Sequence, residues 1–328
     1  MADFRTSLSL SLASTPIRHE NKLLSIGSCF AENIGRRLAD AKFQLLMNPF
    51  GIVYNPVSVQ DSLSYLIDNK HFTKEGVFSH QERWHSFAHH SRFSDAEQST
   101  CLNSINSAIN KGHKHLLESD VLILTFGTAH VFYHKKMERV VNNCHQLSAD
   151  TFERQLLSVD DITTQLSPVL ERIKTLRPNI RILLTVSPVR HIRDGLVESR
   201  LSKSILRVAI HELCNTFKYI SYFPAYELIM DDLRDYRFYN ADMVHPNEVA
   251  VEYVWQRFGE VYFDETAKQL IKRIEKLKKA MQHRPFQSES ERYRTFLAQH
   301  LHQTRELQKT YPFLNFDEEL KYFRHLSN

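Results

Sequence analysis

The sequence predicts one large α/β domain built on a parallel sheet, followed by a helical C-terminal extension. Three observations predict it. The apolar runs Val121–Phe126 and Arg181–Val186 stop at Gly127 and at Ser187-Pro188, the pattern of strands buried on both faces. A shorter run over residues 22–26 stops at Gly27 and passes into the helical spacing of Ile34 and Leu38. Strand and helix signals then alternate along the chain, which implies helices on both faces of the sheet and right-handed crossovers.

Taken in order, residues 22–27 read as strand and tight turn, and residues 31–39 as the helix that follows. Residues 57–119 are irregular and rich in histidine, which predicts an insertion over one end of the sheet. A helix over 162–176 is broken by Arg177-Pro178-Asn179 and leads into the strand at Arg181. Residues 219–225 read as a further, weaker strand. Pro246 suits a first helical position, and 247–258 continue as an amphipathic helix. From Asp264 the chain turns helical and charged, with helices expected at 268–281 and 289–310. The boundaries are a domain over 1–263 and an extension over 264–328.

Composition excludes several classes. The chain has 328 residues, of which 42 are Lys or Arg and 38 Asp or Glu, so its net charge of +4 is too small to imply nucleic acid. The basic run 268–279 reads as a solvated helix face or as a surface for an acidic partner. Four cysteines without a CxxC pair argue for reduced thiols and a cytoplasmic location rather than a disulfide framework. Residues 7–14 alternate leucine with serine, a strand period and not the apolar core of a signal peptide. No run approaches the roughly 18 apolar residues of a membrane span. Oligomeric state is not legible.

In an open parallel sheet, ligands bind beyond the carboxyl ends of the strands. Four segments there could carry chemistry: Gly27-Ser28-Cys29-Phe30-Ala31, Asn48-Pro49-Phe50-Gly51, Phe126-Gly127-Thr128-Ala129-His130 and Asp242-Met243-Val244-His245. The first lies at a helix N-terminus, where free N–H groups favour developing negative charge. Ser28 there is either a nucleophile or a helix cap, and Cys29 either a nucleophile or a small buried apolar group. Asp242 and His245, three apart before a helix, suit an orienting carboxylate and a general base. Their plainer reading is a turn cap and a surface histidine.

These segments spell a pattern similar to that of the GSCFA family, bacterial proteins resembling SGNH/GDSL hydrolases. The likeness extends through Asn48 to Pro56, Trp84-His85-Ser86, Ser187-Pro188-Val189-Arg190 and Asp242 to Pro246, over most of the chain. The resemblance implies an SGNH-like, flavodoxin-like three-layer sandwich. By register it puts Cys29 at the nucleophile position, with Ser28 as the alternative. It implies Asp242 and His245 as the acid–base pair and Gly51 as an oxyanion donor. Where the SGNH pattern has an asparagine after the third-block glycine, this chain has Gly127-Thr128-Ala129-His130, leaving Thr128 or His130 as donor.

His80, His85, His89 and His90 lie close together, but without a His-Glu-x-x-His arrangement they predict a lid rather than a metal site. Trp84 and Phe87 would offer flat faces to a sugar or acyl group. Arg190 and His191 follow a strand end; Arg190 suits a carboxylate or phosphate, or else a surface ion pair with Asp194. The expected activity is hydrolysis or transfer of a small acyl group, acetyl foremost, on a carbohydrate-type ester, without cofactor. The alternative is a non-catalytic binding protein for a glycan or acidic partner that keeps the fold.

Overall fold

The computed structural model describes residues 6–287 and 290–325. Along the first half run β1 (Lys22–Gly27), α1 (Cys29–Asp40), β2 (Gln44–Met47), α2 (Pro56–Ile67), β3 (Phe78–His80), β4 (Arg83–His85), α3 (Gln98–Glu118) and β5 (Val121–Phe126). There follow β6 (His130–His134), β7 (Arg139–Val141), β8 (Phe152–Leu156), α4 (Val159–Leu176), β9 (Arg181–Val186), α5 (Leu196–Thr216) and β10 (Ile220–Tyr222). A short turn, α6 (Ala225–Glu227), leads to α7 (Glu248–Tyr262), α8 (Glu265–Gln282), α9 (Glu291–Thr310) and α10 (Asp317–His325).

Five strands form one parallel sheet in the order β2-β1-β5-β9-β10. Side chains alternate between its faces. Leu24, Ile26, Leu122, Leu124, Ile182 and Leu184 pack under α2, α3, α4 and α5. Leu23, Val121, Ile123 and Leu183 meet α1 and α7 on the other side. Both faces are covered, which is why these strands read as unbroken apolar runs. The result is a three-layer α/β/α sandwich of flavodoxin-like strand order, whose switch point lies between β1 and β5.

Gly27 ends β1 where a Cβ would lie 2.6 Å from the Thr125 side chain and carbonyl, so only glycine permits the close approach of β1 and β5. The chain then enters α1 at Ser28, beside that switch point.

Several expectations are corrected. Residues 57–119 are not an irregular insertion: α2 and α3 occupy most of them and supply core residues such as Leu63, Ile105 and Ile109. Between them, the β3–β4 hairpin carries His80 and His85, and the turn after it carries His89 and His90. Residues 7–14 form no strand; Leu8, Leu10 and Ala13 pack on the second core, and Ala13 N–H donates to the Val261 carbonyl. Pro246 precedes the helix instead of starting it, because Asn247 caps α7 with its side chain. The weak strand at 219–225 shortens to β10. An antiparallel sheet, β7-β6-β8, was not foreseen.

The extension has its own apolar cluster, with Leu270, Ile274, Leu297, Leu307, Phe316 and Phe323 joining α8, α9 and α10. It docks through Lys42, whose ammonium pairs with the buried Glu319 at 2.9 Å and lies 4.9 Å from the Phe316 ring centroid. The basic run is largely solvated, and Lys278 pairs with Asp40 at 2.6 Å. The predicted start of the second tail helix, residue 289, lies outside the described residues, as do residues 1–5 and 326–328 of the predicted boundaries. Among the described residues no helix is long and apolar enough to cross a membrane.

Candidate active site

The Asp242–His245 turn is built locally. Met243 takes a left-handed conformation (φ 57°), which non-glycine residues adopt at a cost of about 1 kcal/mol. The chain folds back so that Asp242 Oδ1 accepts from the N–H groups of Val244 (2.9 Å) and His245 (3.0 Å). Its Oδ2 meets His245 Nδ1 at 2.7 Å. Asp242 is therefore both the turn cap and the histidine's partner. Backbone N–H donation from His245 and Val244, and then the His245 ring, hold the Asp242 carboxyl down at about 2. An ionised carboxylate can only accept, so Nδ1 carries a proton, and in the neutral ring Nε2 is the nitrogen with the lone pair. Nε2 has no hydrogen-bond partner among the described residues, and the ring is 43% exposed.

The Gly27-Ser28-Cys29 turn is packed differently. Ser28 is buried and caps α1, its Oγ accepting from Phe30 N–H at 3.3 Å. Cys29 is half-buried, with a free thiol and no side-chain partner. Burial pushes that thiol up; its own backbone N–H opposes the shift and the Glu32 carboxylate adds to it. Apart from its own thiol, the Cys29 N–H has no partner among the described residues. No hydrogen bond joins Ser28 or Cys29 to His245 in this resting arrangement.

Of the expected oxyanion donors, Gly51 and Thr128 are already engaged, while the His130 ring is not. Gly51 (φ 80°, a conformation suited to glycine) donates to the Asn48 carbonyl at 2.8 Å. Asn48 is wholly buried, and its Oδ1 accepts from Gly27 N–H at 2.8 Å, bracing the Gly27-Ser28-Cys29 turn from the end of β2. Gly127 and Thr128 N–H groups both donate to the Tyr54 carbonyl, at 2.6 and 3.2 Å. Thr128 Oγ1 bonds Ser202 Oγ and accepts from His130 N–H. His130 is buried with neither ring nitrogen bonded.

Trp84 and His85 stand in the hairpin. Trp84 packs against the first core, and His85 is buried, bonded to Ser94 Oγ (2.7 Å) and the His80 carbonyl (3.1 Å). Phe87 is no open face for a ligand, being buried and stacked on Phe78 at 4.1 Å. Neither Trp84 nor His85 makes a hydrogen bond or ring contact with the Asp242–His245 turn. Among the described residues, no group of His, Cys, Asp or Glu side chains could hold a metal ion. Arg190 does not pair with Asp194, which Arg154 holds in a two-pronged contact (3.0 and 2.6 Å). Arg190 instead donates to Tyr236 Oη at 2.9 Å, and its N–H reaches the Val244 carbonyl at 3.3 Å.

Two residues gain weight only from the structure. His191 lies over Tyr54, ring centroids 5.9 Å apart, and burial, then the positive charges of Lys203 and Arg154, push it down to about 3. His245 also contributes to that shift, and Cys29 is felt by Tyr54, so the strand-end turns converge here. Lys203 lies under the turns after β5 and β9, donating to the carbonyls of Gly127 (2.5 Å) and Ser187 (2.6 Å). The sequence signal for it is a lysine set in the buried stripe of α5, with Ser199, Leu206 and Ile210.

With this geometry in place, the comparisons are decisive for family. The sequence model of the GSCFA family matches residues 22–258. This chain belongs to the GSCFA family. A second model, the C-terminal domain of GSCFA domain proteins, matches residues 274–327, within the helical extension. No curated protein matches the sequence. Solved structures similar to this GSCFA protein include a carbohydrate esterase family 3 from Talaromyces cellulolyticus, at TM-score 0.35 and 8% identity over 77% of this chain and 98% of that one. Another is the Clostridium thermocellum family 3 carbohydrate esterase, at TM-score 0.32 and 12% identity over 76% of this chain and 98% of that one.

Proposed function

We propose that this protein is an acyl-ester hydrolase that removes a small acyl group, acetyl foremost, from a carbohydrate-type substrate. The observation that carries the reading is the 2.7 Å contact between Asp242 and His245 Nδ1, with Nε2 left open at the carboxyl edge of the sheet. A turn cap alone has no use for a histidine held in one tautomer with its second nitrogen free.

In the proposed reaction Cys29 Sγ attacks the ester carbonyl while His245 Nε2 accepts the thiol proton. Asp242 keeps the imidazole oriented and stabilises the imidazolium. The imidazolium then protonates the departing alkoxide, leaving an acyl-thioester that water, deprotonated by the same nitrogen, resolves. An acceptor hydroxyl in place of water would make the reaction a transfer. Cys29 is favoured over Ser28 because Ser28 is spent as the cap of α1. The raised thiol pKa supports a neutral thiol that needs a base rather than a standing thiolate. The Cys29 N–H is available to the oxyanion; a donation from Gly51 requires its N–H to leave the Asn48 carbonyl.

The engaged amides of Gly51, Gly127 and Thr128 favour the second reading, a binding protein that has kept the fold. Turnover of an activated acetyl ester, 4-nitrophenyl acetate, separates the two. The hydrolase reading predicts that His245→Ala and Cys29→Ala each lower kcat/KM by roughly a thousandfold or more. Full turnover in His245→Ala, or none in the folded native protein, contradicts it.

A further inference from the structure

Beside the Asp242–His245 turn lies a cleft of about 230 Å³, bounded by the turn after β9, the start of α5 and the segment after α6. Arg190, Arg200, Lys203, Tyr226 and Tyr236 line it, and no carboxylate does.

We infer that this cleft is an oxyanion-recognition pocket, so that the ester handled by the site carries a carboxylate or phosphate on its alcohol portion. The substrate assignment rests on the hydrolase reading; the pocket itself does not.

The strongest ground is Lys203. It is 3% exposed and has no carboxylate within ion-pair distance among the described residues. Two of its three N–H bonds go to the carbonyls of Gly127 and Ser187. The third has no partner among the described residues, and Lys203 lines the cleft. A buried ammonium without a counter-charge is expensive to hold, and desolvation alone pulls this one down to about 7. An anion in the cleft would supply the missing charge.

The other groups suit the same ligand. Arg190 is held flat, its guanidinium carbon 5.0 Å from the Tyr236 ring centroid and 4.8 Å from that of Tyr239. That leaves a guanidinium oriented in advance and without a carboxylate partner. Arg200 is exposed and makes no ion pair among the described residues, and the Tyr226 hydroxyl makes no hydrogen bond there. Of the acids whose charge reaches Tyr226, Glu227 is committed to Arg207 and Asp231 stands exposed outside the lining. The bond from Arg190 N–H to the Val244 carbonyl ties the cleft to the His245 turn. A ligand anchored there by its anion would present its remaining groups toward Nε2.

The test is equilibrium calorimetry on the full-length protein with inorganic phosphate, glucuronate and, as a neutral control, glucose. The expected result is binding of phosphate, glucuronate or both, and none of glucose. Binding of one anion alone identifies which headgroup the pocket takes. Arg200→Gln, at an exposed position that tolerates change, weakens binding roughly ten- to hundredfold. Lys203→Met does the same, read only on protein whose circular dichroism matches the native chain. His245→Ala keeps the anion affinity while losing turnover, so failure of the pocket and failure of the hydrolase reading give different results. No heat with either anion, or native affinity in both Arg200→Gln and Lys203→Met, overturns the inference.

Discussion

The hairpin region and the 240–247 turn both hold histidine, and they use it in opposite ways. In the hairpin, histidine is packing material. His89 is buried with its ring 5.0 Å from those of Phe50 and Phe72 and 5.3 Å from Phe93, and its Nδ1 lies 3.0 Å from Ser86 Oγ. His145, from the loop after β7, crosses to bond the Ser86 carbonyl at 2.8 Å. Burial drives His89 down to about 3 and His145 to about 4, so both are neutral at pH 7. Among the described residues no carboxylate partners either ring. The turn has one histidine, half-exposed, with one nitrogen fixed by an ionised aspartate and the other open. The crowded histidines form a polar core; the single oriented one is the group on which the proposed chemistry depends.

The largest effect that sharpens this contrast belongs to the turn. Asp242→Asn removes the acceptor that holds the Nδ1 proton, and turnover should fall by roughly 10³–10⁴ while urea denaturation moves little. A large loss of stability with turnover of the folded fraction intact would reduce Asp242 to a cap.

The hairpin predicts a pH effect on stability. A histidine whose folded pKa lies below the unfolded value of about 6.5 binds its proton more readily in the unfolded chain. Stability therefore declines as pH falls below about 6.5, and the decline ends below the folded value. Each such group steepens it by about 1.4 kcal/mol per pH unit within that window. His89→Phe removes one, so urea midpoints measured from pH 7 to pH 4 should flatten by one proton. An unchanged slope would mean that His89 is not buried neutral. The smallest effect is at the helix cap: Ser28→Ala should lower stability by about 1 kcal/mol in the same urea assay. No change would remove the reason for assigning Ser28 to capping.

The legible parts of the fold were those in which composition and burial agree. β5 and β9 are buried on both faces, so their apolar runs gave their ends to the residue. α3 is hard to read because serine, asparagine and histidine fill its open face, and α2 because serines, two of them buried, interrupt its apolar residues. The signal was nevertheless there in Cys101, Ile105, Ile109 and Leu116, recurring at three or more residues along the inner side of α3. β6, β7 and β8 are short, carry charges, and pair only with one another, so no run announces them.

The site was legible where its geometry is local. Asp242 and His245 make their contact within one turn, so their spacing in sequence carried it. Contacts made across the chain, such as Asn48 bracing Gly27 and Lys203 reaching two strand ends, leave no spacing to read.

The central claim, that Cys29 is a nucleophile served by His245, is tested most directly by trapping. The native protein is incubated briefly with 4-nitrophenyl acetate, quenched in acid, digested and analysed by mass spectrometry, alongside His245→Ala. The account predicts an acetyl thioester on Cys29 that is absent from His245→Ala. Acetylation at Ser28 with Cys29 unmodified, or equal labelling of Cys29 in both proteins, would contradict it.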